Sequence, residues 1–211
     1  MSAQLDHLVI GGSDLGMLVA WWKQASGVYP ATGGSHDGFG TRNALIGVDR
    51  STYVELISVD PNQPEPEQPR PFGLDDLEPH SVQLCTFVIA VPDIDTSARL
   101  MRDAGFDPGP VRSMERVKAD GSVLRWQLAI PPRKATAGVQ PALIQWGQQT
   151  PHPGTSLSSD VVVQELVLGL PDPQGLQSAF DALGADFAVS TTPEPMISAH
   201  FTTADGADFW L

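Results

Sequence analysis

Glu55 lies within Tyr53-Val54-Glu55-Leu56-Ile57, an otherwise apolar run that reads as a β-strand. A carboxylate pointing inward from such a strand needs a partner or a metal ion to offset its desolvation. Pointing outward it needs nothing, and strand alternation alone leaves both directions open. A third role is that of a general base. His7, in the run Leu5 to Ile10, reads by itself either as a hydrogen-bonded strand histidine or as a ligand. Arg125 and Trp126 share another apolar strand, and Trp146 ends a third. An inward arginine would clamp a ligand carboxylate or carbonyl through paired hydrogen bonds, and the tryptophans would offer stacking surfaces. The plainer alternative is a solvated Arg125 and a core Trp126. His36 sits in Gly33-Gly34-Ser35-His36-Asp37-Gly38-Phe39-Gly40, which reads as a glycine loop. That stretch lacks the Gly-Lys-Ser/Thr ending of a phosphate-binding loop and precedes a strand, so no nucleotide cofactor is expected. Cys85, the single cysteine, reads as an inert small hydrophobe in a buried strand. His80 and His152 fall in linkers and read as solvated.

The elements that carry these residues recur. The run from Leu5 to Leu15 is echoed 79 residues later from Leu84 to Ile94, and again from Val163 to Pro173. This register aligns Val9, Val88 and Val167, and likewise Asp14, Asp93 and Asp172. Each copy predicts a strand, a turn, and a helix capped by its aspartate. Leu15, Leu18, Val19 and Trp22 mark one helical face in the first copy. Leu176, Ala179, Phe180 and Leu183 do so in the third, where Pro173 takes the first helical position. Gly27, Gly105 and Gly184 follow as stops. Two or three strands come after each helix, with hairpin turns expected at Asp120-Gly121 and Asp205-Gly206. The units span residues 1–60, 81–147 and 161–211, separated by a proline-rich linker at 61–80 and a second linker at 148–160.

Composition narrows the function. The 211 residues carry 12 basic and 25 acidic side chains, a net charge of −13, which argues against nucleic-acid binding. No apolar run reaches the roughly 20 residues that span a bilayer. The N-terminal Met1-Ser2-Ala3-Gln4 has no basic region, so a cytoplasmic protein is expected.

Repeated βαβββ units resemble the vicinal-oxygen-chelate superfamily, and within it the glyoxalase-like-domain proteins. The likeness rests on Leu5-Asp6-His7-Leu8-Val9-Ile10, His36 with Thr41-Arg42-Asn43-Ala44-Leu45, Thr52 to Ile57, Leu124 to Leu128, and Leu143 to Trp146. It implies an α+β fold in which paired units form an open cleft of mixed β-sheet with helices outside. It also implies metal ligands on the first and fourth strands of each paired unit. Carried onto this chain, those positions are His7 and Glu55, then Thr86 and Gln145. One divalent metal ion held by His7, Glu55 and Gln145 is therefore expected, although threonine rarely ligates. His36, Asn43, Arg125, Trp126, Gln145 and Trp146 would contact a small-molecule ligand.

Two functions follow from the resemblance. One is an enzyme in which His7 and Glu55, with a metal as Lewis acid, act on an oxygen-rich substrate. The other is a metal-free module that sequesters a small molecule, as bleomycin-resistance relatives do. Three units leave one without an intrachain partner. It would either pair across a homodimer or cover an edge strand.

Overall fold

The computed structural model describes residues 3–117, 121, 123–132 and 136–211. Asp120 of the expected Asp120-Gly121 turn lies outside them. The chain forms two compact units. An N-terminal unit comprises His7–Cys85, Pro153–Leu166 and Ser198–Leu211; a central unit comprises the segment ending at Asp6, Thr86–His152 and Val167–Ile197.

The N-terminal unit contains β1 (Gln4–Gly12, from His7 onward), α1 (Leu15–Ser26), β2 (Ala31–His36), β3 (Thr41–Gly47) and β4 (Tyr53–Val59). Its strands are ordered β2-β3-β4-β1. β1 runs parallel to β4, and the other pairs are antiparallel. Asp14 caps α1 as expected, its carboxylate accepting from Met17 N–H at 2.8 Å, and Gly27 ends it in the left-handed region. Leu18 and Trp22 face inward from this helix, both fully buried. Residues Gly33 and Gly34, expected in a loop, instead belong to β2, and the turn is confined to residues 37–40. The glycines suit a strand here because the neighbouring β3 backbone approaches closely: a Cβ on Gly33 would meet the Asn43 carbonyl oxygen at 2.7 Å.

The central unit repeats the plan with β5 (Gln83–Ala90, from Thr86 onward), α2 (Ile94–Asp103), β6 (Val111–Val117), β7 (Val123–Ala129) and β8 (Ala142–Trp146). Strand order is β5-β8-β7-β6, again with the first and fourth strands parallel. Asp93 caps α2 through Thr96 N–H at 2.7 Å.

The third repeat consists of β9 (Val161–Leu170), α3 (Gln174–Leu183), β10 (Val189–Thr191), β11 (Met196–Thr203) and β12 (Asp208–Trp210). Its residues are divided between the units. In the central unit β10 pairs in parallel with the end of β9, and Phe180 of α3 joins Phe87 and Phe187 in an aromatic cluster. In the N-terminal unit β11 and β12 form an antiparallel pair whose Phe201 and Phe209 meet Trp22 edge-on, at 5.4 and 5.7 Å. Pro173 precedes α3 as its cap rather than opening it, and Asp172 reaches only Gln174 N–H at 3.4 Å. Each unit is thus mixed α+β, built on repeated strand-helix-strand-strand-strand segments. Among the described residues no helix is long and apolar enough to cross a membrane.

Candidate functional site

Register decides which way Glu55 points. It pairs with Leu45 across β3–β4 and with Val9 across β1–β4, and His7 pairs with Tyr53. Paired residues share a face, so His7, Val9, Asn43, Leu45, Tyr53 and Glu55 all lie on one side. Leu8, Ile10, Gly12 and Leu56 take the other. A Cβ on Gly12 would meet Leu18 of α1 at 2.8 Å, which puts the helix over that second side. Glu55 therefore faces away from α1.

Polar side chains converge there. His7 and Glu55 are 4% and 6% exposed, with His7 Nε2 lying 3.7 Å from Glu55 Oε2. The His7 ring stacks on Tyr53, centroids 4.4 Å apart. His36 Nε2 is 3.9 Å from Glu55 Oε1, and the Asn43 amide donates to that same oxygen at 2.6 Å. The amide orientation is fixed by its other end. Asn43 Oδ1 accepts from Gly34 N–H at 2.9 Å, and a backbone N–H can only donate. Nδ2 must then face Glu55 and His36, and it lies 3.2 Å from His36 Nε2. An amide nitrogen offers no lone pair, so His36 Nε2 accepts and Nδ1 carries the hydrogen, donating to Thr41 Oγ at 2.9 Å. A chain of directed bonds thus runs from Thr41 through His36 and Asn43 to Glu55. It leaves Glu55 Oε2 turned toward His7.

The central unit places the other expected residues. Gln145 lies on the same side of its sheet as Leu143, and its Oε1 accepts from Ile94 N–H at 2.7 Å at the start of α2. By register, Val9 pairs with Glu55 as Val88 pairs with Ala142, so Ala142 rather than Gln145 occupies the position matching Glu55. The Thr86 hydroxyl donates to the carbonyls of Gly138 and Gln140. Met114, Trp126 and Trp146 form one cross-strand row, with the two indoles 5.7 Å apart. Ser113, Gln127 and Gln145 form the alternate row, on the opposite face, and a hollow of about 380 Å³ is lined by residues of both rows. Arg125 is exposed and sits 3.3 Å from Glu115. Trp146 Nε1–H donates to Asp6 at 2.7 Å. His152, expected in solvent, is instead largely buried, with Nε2 3.3 Å from the same Asp6 carboxylate.

Thr41, Tyr53, Gly33 and Gly34 escaped the sequence reading, although the glycine pair facing Asn43 was a signal of close backbone approach. Asp6 escaped it too, being overshadowed by its neighbour His7. The donor chemistry of His7 and Glu55 suits a divalent cation. The wider set expected with them is engaged elsewhere: His36 Nε2 with Asn43, and Gln145 Oε1 with α2. Among the described residues no group of three His, Cys, Asp or Glu side chains is arranged to hold a metal ion. The two donors fit a cation only as a partial set.

Comparison with known proteins agrees with this architecture. A hypothetical protein from Staphylococcus aureus is similar over 100% of this chain and 98% of its own, with 14% identity and a TM-score of 0.64. Methylmalonyl-CoA epimerase from Streptomyces coelicolor, in complex with 2-nitronate-propionyl-CoA, covers 69% of this chain and 98% of its own, with 18% identity and a TM-score of 0.46. The Mycobacterium tuberculosis methylmalonyl-CoA epimerase covers 67% and 85%, with 20% identity and a TM-score of 0.43. The likeness to the Staphylococcus aureus protein, at 14% identity, speaks to the fold alone. No curated protein sequence matches the chain. The sequence pattern of the glyoxalase-like domain matches residues 5–184, and with that span the chain belongs to the glyoxalase-like domain family.

Proposed function

We propose that this chain is a small-molecule enzyme of the vicinal-oxygen-chelate type, with Glu55 and His7 as its reacting groups. The observation that carries the reading is the buried Glu55 carboxylate, surrounded by Asn43, His7 and His36 within 4 Å. Burying a carboxylate is costly unless it is paired, and an apolar residue would fill a merely structural strand position at no such cost. With Oε1 held by Asn43, Oε2 is the oxygen placed to take a proton from a substrate carbon beside a carbonyl. His7 lies on the Oε2 side and is the group to hand a proton to the neighbouring substrate oxygen. His36, fixed as an acceptor at Nε2, orients Asn43 rather than reacting. With a divalent cation, which the resemblance implies, His7 and Glu55 would be its ligands, and polarisation of the substrate's carbonyl oxygen by the cation would take the place of the proton from His7.

The test is deuterium exchange. Small 1,2-dicarbonyl and α-hydroxycarbonyl compounds are incubated with the protein in D₂O, with and without Zn²⁺, Mn²⁺ or Ni²⁺. We expect incorporation into at least one compound with the wild type and none with Glu55→Gln. Incorporation that survives Glu55→Gln, or none under any condition, rejects the reading.

A second reading, a metal-free binding protein, is favoured by one observation. The central unit's positions matching His7 and Glu55 carry Thr86 and Ala142, neither an ordinary metal ligand, and the Thr86 hydroxyl is engaged by backbone carbonyls. Ligand-dependent tryptophan fluorescence without turnover of any bound compound is its expected result.

A further inference from the structure

The face of the N-terminal unit that carries Glu55 is walled at both ends by the segments that join the repeats. At one end Gly47 pairs with Tyr53, which pairs with His7; at the other Asn43 pairs with Ile57, which pairs with Gly11. A Cβ on Gly47 would meet the Ser158 carbonyl oxygen, and Leu157 Cβ at 2.8 Å. A Cβ on Gly11 would meet Leu74 at 2.8 Å and Leu77 at 3.1 Å. Four residues of strand separate these two rows, roughly 13 Å, so leucines close a short length at either end. Leu74 belongs to a 3₁₀ turn, Pro71–Asp76, and Leu77 follows it. Within that turn the buried Phe72 takes φ +60°. A bulky residue keeps that left-handed conformation only where its surroundings over-determine it. Arg70 supplies such surroundings by gripping Glu65 and Asp75 at 2.7 and 2.6 Å.

Between the walls, Val9, Leu45 and Ile57 are buried beside Glu55 on the same face. Cationic partners are missing from it. The N-terminal unit holds 14 acidic and four basic side chains. Arg42 lies on the helix side, near Asp14, and Arg70 is spent on Glu65 and Asp75. Lys23 sits over Tyr29, and Arg50 is exposed in the turn between β3 and β4. A carboxylate or phosphate on either substituent of the reacting carbonyl would be buried there unpaired, against the charge of the unit. A terminal hydroxyl would exchange water for leucine and lose its hydrogen bonds. We infer that the Glu55 site takes a small uncharged α-hydroxyketone with short alkyl ends and rejects anionic relatives. The inference rests on the proposed proton transfer at Glu55 and names its substrate class.

The test labels the five histidines of the whole chain with ¹⁵N and follows their ring signals in titrations, which reads binding with or without turnover. Hydroxyacetone should shift His7 and His36 saturably and leave His80 and His200 in place. Dihydroxyacetone, which exchanges an apolar end for a hydroxyl, should bind about tenfold more weakly. Dihydroxyacetone phosphate should bind more weakly again. Leu77→Ala should bind 1-hydroxy-2-hexanone about tenfold more tightly than the wild type does, with hydroxyacetone unchanged. No shift with hydroxyacetone, equal or tighter binding of the phosphate, or an unchanged hexanone affinity in Leu77→Ala overturns the inference. Deuterium exchange separates it from the proposed reaction. Binding in the expected order without exchange upholds the ligand class and removes the reaction. Exchange into dihydroxyacetone phosphate alone, lost in Glu55→Gln, keeps the reaction and overturns the class.

Discussion

Removing the Asn43 amide would leave Glu55 buried with one donor fewer, at a cost of about 1–3 kcal/mol. Urea unfolding of Asn43→Leu should show that loss. Gly33→Ala should reproduce much of it without altering a polar group, because the added Cβ would collide with the Asn43 side chain and carbonyl. ¹⁵N shifts of His36 would report the same displacement, as the Nδ1–H tautomer loses its bias in both variants. Asp60 carries the clearest pH effect near the site. The Ser35 hydroxyl at 2.6 Å holds its carboxyl below the usual carboxylate range, opposed by burial and helped by Asn62 N–H and the Gln63 amide. A depressed carboxyl adds stability above its unfolded value of 3.8, and that contribution disappears as pH falls through the folded value. Ser35→Ala should therefore destabilise the protein at pH 6 and leave it little changed at pH 2, as read from unfolding midpoints. Glu55 shows why residue-scale reading of the sequence stopped where it did. Alternation offered two faces of equal standing, and only the position of Leu18 above Gly12 distinguished them.

Helix starts were legible because an N-cap is a local device. Asp14 and Asp93 do what their spacing predicts, since each needs only the first turn that follows it. Asp14→Ala should cost about 1 kcal/mol in thermal or urea unfolding. Asp172→Ala should cost clearly less, because Asp172 reaches Gln174 N–H only at 3.4 Å. Strand β2 was not legible. Its Gly33-Gly34 pair has the composition of a loop, and the reason for those glycines lies in β3, which sequence proximity does not reveal. Gln145 misled for a related reason. Matching Tyr53-Val54-Glu55-Leu56-Ile57 to Leu143-Ile144-Gln145-Trp146 by type shifts the register by an odd number of residues. An odd shift moves a side chain to the opposite face of a sheet.

At the scale of the whole chain, the repeated plan of strands and helix was visible as a 79-residue echo, because duplicated segments keep their apolar spacing. Of the two places expected for the third repeat, pairing across a two-fold dimer is checked by light scattering at micromolar concentration: it requires twice the 22.5 kDa of one chain, and the mass of one chain rejects it. How the third repeat distributes its parts was beyond sequence reading, since continuity along the chain carries no information about which core a segment closes. That distribution has a consequence for cooperativity. Trp22 in one unit and Phe87 in the other are both fully buried, the first beneath β11 and β12, the second beside α3. One uninterrupted stretch of polypeptide thus contributes to both interiors, Phe180 in one unit and Phe201 in the other. Calorimetry should show a single melting transition for the intact protein. A protease site engineered into residues 192–195, between β10 and β11, should lower that melting temperature once cut, with no atom of either interior removed.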